Sequence, residues 1–125
     1  MTTPDQPPAV RRASPANHYP WGDGCDGWRL VENGALSLRE ERLPPGAAEA
    51  PHVHRVARQI FYVLAGELSI AVPGTLLRAG PGEALEIPPG LPHLVRNAGP
   101  QDLRILLVSA PDTIGDRHPV AEALP

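Results

Sequence analysis

The chain has 125 residues and a net charge of −3, enough for one domain with one core. No basic cluster is longer than Arg11-Arg12, which argues against nucleic-acid binding, and no apolar stretch approaches the ~18 residues of a membrane span. A single cysteine, Cys25, rules out an internal disulfide and fits a reduced, cytoplasmic setting.

The N-terminus, MTTPDQPPAVRRASPA, lacks the apolar core of a secretory signal, and its proline and polar content read as a loose arm over residues 1–20. The 12 glycines and 17 prolines fall throughout, and the longest run free of both, His52–Ala65, is only 14 residues. Helices of ordinary length have almost nowhere else to sit. Short antiparallel strands are therefore expected over 21–110. In order they are WRLV (28–31), ALSLREERL (35–43), APHVHR, QIFYVLA, ELSIAV (67–72), TLLRA (75–79), EALEI (83–87), HLVRN (93–97) and DLRILLVS (102–109). Residues 111–125 read as a C-terminal tail and a possible lid.

One run is ambiguous. Val56, Ile60, Val63 and Leu64 also fit helical spacing. The β-branched and aromatic residues of QIFYV and the Gly66 turn favour a strand. Only a strand puts His52 and His54, two apart, on one face. Gln59 opens the next strand, where Phe61 and Val63 share its face. His93 follows a Pro-rich turn. Three imidazoles and one amide oxygen make a four-ligand set for a divalent transition metal: iron, manganese, nickel, zinc or copper.

These residues carry a resemblance to the small single-domain cupins of the RmlC-like jelly-roll superfamily. The first motif is Gly46-x5-His52-x-His54-x4-Gln59-x6-Gly66. The second is Gly82-x5-Pro88-x-Gly90-x2-His93-x3-Asn97. The resemblance implies an antiparallel jelly-roll β-barrel with a metal at one mouth, held by His52, His54, Gln59 and His93. The departure is Gln59, where most cupins have glutamate. A neutral amide leaves the dication its full charge, which should weaken metal affinity and strengthen the pull on an anionic ligand. Gly46, Gly66, Gly82 and Gly90 look like turn positions, and Asn97 like a hydrogen-bonding turn residue.

The pocket should recruit further residues. If Leu36 and Leu38 face inward, Glu40 and Arg42 do too; a slip of one substitutes Arg39 and Glu41. Arg104 in the last strand and Arg117 in the tail are further candidates, Arg117 as an anion clamp. His18 and His118 read as solvated, and Cys25 as a small residue in a Gly-rich loop.

The resemblance implies a metal-dependent enzyme acting on a small, oxygen-rich metabolite. Two chemistries fit: a Lewis-acid isomerase or lyase, and an Fe(II) dioxygenase. The ligand set is similar to that of small cupins that linearise unsaturated uronates. Leu106 and Val108 stand where those carry Asp and an aromatic, so that specific activity is not implied. The alternative is a non-catalytic, metal-assisted binding or sensor module. A two-fold homodimer is expected, burying the outward row Ile60, Tyr62 and Leu64 or the N-terminal arm.

Overall fold

The computed structural model describes residues 7–125. No α-helix occurs among them; one 3-10 turn, Pro15–Asn17, precedes eleven strands. They are β1 (His18–Trp21), β2 (Cys25–Asn33), β3 (Leu36–Leu43), β4 (His52–Val53), β5 (Arg58–Ala65) and β6 (Leu68–Val72). There follow β7 (Thr75–Ala79), β8 (Ala84–Ile87), β9 (Leu94–Arg96), β10 (Leu103–Ala110) and β11 (His118–Pro119). No helix among the described residues is long and apolar enough to cross a membrane.

Every strand pairing is antiparallel. A six-stranded sheet runs β1-β2-β3-β10-β5-β8, a three-stranded sheet β7-β6-β9, and β11 pairs with β4. The pattern resembles a cupin jelly roll, with hydrogen bonds divided among these sheets rather than closing one continuous cylinder. Leu43, Phe61, Val63, Leu68, Ile70, Ile87, Leu103 and Ile105 form the buried cluster between the layers. Fully burying one such side chain contributes about 1.5–3 kcal/mol.

The helical alternative for His52–Ala65 fails. β5 alternates with a period of two, burying Gln59, Phe61 and Val63 and exposing Ile60, Tyr62 and Leu64. Its exit turn needs Gly66: φ is +84° there, and a Cβ would lie 2.5 Å from the Asp102 carbonyl oxygen. Two segments differ from expectation. His18–Pro20, at the end of the expected arm, belong to β1, which pairs with β2 through Tyr19 opposite Gly27. The expected strand around His52 is only two residues long, because Pro51 precedes it and the chain bends after Val53.

Candidate metal centre

The histidines are assembled by backbone pairing. His52 and His93 form an isolated antiparallel bridge and exchange both hydrogen bonds, 3.0 and 2.9 Å, so their rings stand side by side. His54 follows two residues on. One nitrogen from each of His52, His54 and His93 lies within 4.8 Å of the other two, and all three residues are buried.

Each ring is oriented by the main chain. Nδ1 of His52 donates to the Ala50 carbonyl at 3.0 Å, and Nδ1 of His93 to the Leu91 carbonyl at 2.9 Å. Nδ1 of His54 donates to the carbonyl of Asp116, in the tail. With Nδ1 carrying the proton, each Nε2 keeps a free lone pair, the form that binds metals. Burial, outweighing those hydrogen bonds, pushes His52 down to about 3 and His93 down to about 4. Burial also lowers His54. All three are therefore neutral at pH 7.

Gln59 is set by its cross-strand partner. Its Nε2 donates to Ser109 Oγ at 3.0 Å, and Ser109 sits opposite it on β10. The amide oxygen Oε1 is left buried without a hydrogen-bond partner, as is Nε2 of His93. Buried acceptors without donors are costly in a protein interior. A cation within reach of both would satisfy them, so the donor set fits a divalent metal such as those that imidazole favours.

His52, His54 and Gln59 open into a cavity of about 230 Å³ also lined by Tyr19, Trp21, Arg39, Glu41, Glu49, Phe61, Leu107, Thr113 and Arg117, while His93 is fully buried. Phe61 and Arg117 are among the lining residues. Val63 is not among the lining residues; it is fully buried in the core. Glu40, Arg42 and Arg104 lie outside the cavity. Ser37 and Leu43 are the buried residues of β3, so parity turns Arg39 and Glu41 inward and the even positions out. Arg104 donates to Glu40 at 3.0 Å, and Arg42 pairs with Asp26 at 2.7 Å.

Two acids of the cavity carry displaced protonation. Burial, with Glu41 adding to it, pushes the Glu49 carboxyl up to about 7 against the pull of Arg117. Burial raises Glu41, against a 3.1 Å hydrogen bond donated by Tyr19 Oη. Tyr19 reaches Glu41 because Gly27 lies between them: a Cβ there would come 2.2 Å from the Tyr19 ring. Sequence reading missed Tyr19, which fell in the presumed arm, and Glu49, which sits in a loop without face periodicity.

The tail is tied to the loop after His54. The Asp116 carboxylate accepts the backbone N–H groups of Arg55, Val56 and Ala57 at 2.7, 3.0 and 2.8 Å. Burial opposes its ionisation, but those three donors hold the carboxyl down at about 2.

The family model described as Cupin domain matches residues 39–109, more than half of the chain. An uncharacterized protein of Methanocaldococcus jannaschii is 32% identical over 75 residues, covering 60% of each chain. Germin-like protein 3-5 of Oryza sativa subsp. japonica is 35% identical over 82 residues, 58% of this chain and 35% of that protein. The chain thus spans less than two thirds of the length of these relatives. Among solved structures, a predicted oxalate decarboxylase of Thermotoga maritima aligns with TM-score 0.75 at 23% identity, over 83% of this chain and 100% of that one. KdgF of Halomonas sp. aligns with TM-score 0.74 at 20% identity, over 83% and 95%. The polyketide cyclase RemF of Streptomyces resistomycificus aligns with TM-score 0.72 at 23% identity, over 92% and 88%. At these identities the likeness is one of fold.

Proposed function

The chain belongs to the cupin family, and from that premise we propose that it is a metal-dependent enzyme acting on a small, oxygen-rich metabolite. One observation carries the reading: the free Nε2 of His93 and the free Oε1 of Gln59 are both buried beside two further imidazoles, all in their metal-ready form. His52, His54, His93 and Gln59 would hold the ion. A divalent metal there supplies Lewis acidity toward a carbonyl, enol or carboxylate oxygen, or, as iron, a site for oxygen chemistry.

The chain's own groups supply the rest. Phe61, Trp21 and Leu107 give the cavity apolar walls that limit water. Glu41 holds a carboxyl that can accept or return a proton, with Tyr19 Oη donating to it. That pair favours catalysis over binding alone. Arg117, more than half exposed at the cavity, meets an anionic group entering it. Isomerisation or elimination through an enolate uses all of these groups. Oxygenation uses the metal and the walls but not the proton pair. We also propose a two-fold homodimer, supported by the exposed apolar row Ile60, Tyr62 and Leu64.

Elemental analysis of protein purified without a nickel column tests the reading. We expect about one equivalent of a transition metal per chain. His93→Ala should lose it, because the remaining donors leave the ion short of nitrogen ligands. Wild-type protein that stays metal-free after incubation with iron, manganese, nickel, copper and zinc would refute the proposal. Oxygen uptake during turnover of a candidate diketone, enol or uronate separates the two chemistries.

A further inference from the structure

Three neutral imidazoles and an amide bring no negative charge to a dication. One partly buried carboxyl stands beside them. Glu49 lies three residues before His52, in the loop that leads into β4. Its Oε1 accepts the Val95 N–H at 3.1 Å and stands 3.8 Å from His52 Nε2. That nitrogen is itself an acceptor, because the ring proton is on Nδ1 and directed at Ala50. With the Glu49 carboxyl ionised, two acceptors face each other, and 3.8 Å is too long for a hydrogen bond to join them. A cation resolves the conflict: two atoms bound to one small dication at about 2.0–2.2 Å lie about 3–4 Å apart.

Arg117 approaches Glu49 from the other side, Nη1 to Oε2 at 3.7 Å, but its side chain is 52% exposed. A half-solvated ion pair of that length neutralises little. Glu49 contacts His52 rather than the whole trio, so it stands at the rim of the cluster.

We infer that Glu49 is the carboxylate partner of the metal in this chain, supplying from the loop before His52 the negative charge that Gln59 does not. The inference rests on the metal reading above. It makes positions 49 and 59 alternatives: one acid, from the loop or from β5, suffices.

The probe is Co(II), measured by competition with a chelator, with circular dichroism to check the fold. Wild type is expected to bind one equivalent. Glu49→Gln keeps the shape and the acceptor for Val95, and its affinity should fall about tenfold or more, as when a group supporting a metal site is lost. Gln59→Glu added to Glu49→Gln should restore that loss, and Gln59→Glu alone should gain clearly less than it does in that background. Glu49→Asp, which shortens the reach by one methylene, should also weaken binding and serves if Glu49→Gln does not fold. Wild-type affinity in a folded Glu49 variant, or an equal gain from Gln59→Glu in both backgrounds, overturns the inference while leaving the metal reading intact. A wild-type protein that binds neither cobalt nor the five metals above removes both.

Discussion

Gln59 shows how one side chain takes its role from a neighbour. Ser109 holds the amide nitrogen, and the oxygen is left for the cavity. The inward face of Gln59 was readable once the strand parity was assigned; its pairing with Ser109 was not, because it depends on the register of β5 against β10. Tyr19 was not, because its place depends on what Gly27 lacks. In the row Tyr19–Gly27–Glu41, the middle residue has no side chain, and the phenol crosses it to the carboxyl. Gly27→Ala should push the ring tip aside and destabilise the fold by about 1–2 kcal/mol, measured by urea unfolding. Tyr19→Phe should cost about 1 kcal/mol in the wild type and clearly less in Gly27→Ala, where the hydrogen bond is already broken. Additive losses would show that the two residues act separately.

At the level of elements, β3 and the tail are the informative cases. The sequence left two phases open for β3, and the structure takes the one that turns Arg39 and Glu41 inward; Leu36 and Leu38 could not decide it, because the outward face of the large sheet is itself apolar while the inward face borders a polar cavity. Hydrophobicity marks the buried side only where the core is dry. The tail carries no periodicity at all, yet Asp116 organises the segment Arg55–Ala57. Its pH dependence follows. The carboxyl is held at about 2 in the fold, below its ordinary 3.8. The folded state therefore binds fewer protons than the unfolded chain across that interval. This contribution is complete above the ordinary value and is lost as pH falls through about 2. Asp116→Asn should lower stability by about 1–2 kcal/mol at neutral pH. Denaturant titrations should bring the variant and the wild type together toward pH 2. A constant gap across that range would rule out the carboxylate as the cause.

For the molecule as a whole, the fold was the most legible feature, since glycines and prolines mark the turns and β5 carries its parity openly. Assembly depends on what the outer sheet face presents. Ile60, Tyr62 and Leu64 are 40%, 40% and 41% exposed, and Val108 and Leu106 lie beside the first two in register. A contiguous apolar face of this kind is unusual on a monomer. The proposed homodimer covers it, so sedimentation at micromolar concentration should give the mass of two chains. Tyr62→Arg should give one chain with its metal retained. A wild-type mass of one chain would leave the face unexplained by self-association.

The three ligand rings differ in how far away their anchors are. His52 and His93 are each steered by a carbonyl two residues back, so the chain just before each ring suffices to aim it. His54 is steered from Asp116, 62 positions later and beyond the stretch that matches the family model. A polypeptide emerging from its N-terminal end thus completes two aimed ligands first, and the third waits for the closing segment. Any trimming of the gene to the matched stretch would yield a protein that keeps every ligand yet leaves one of them unaimed.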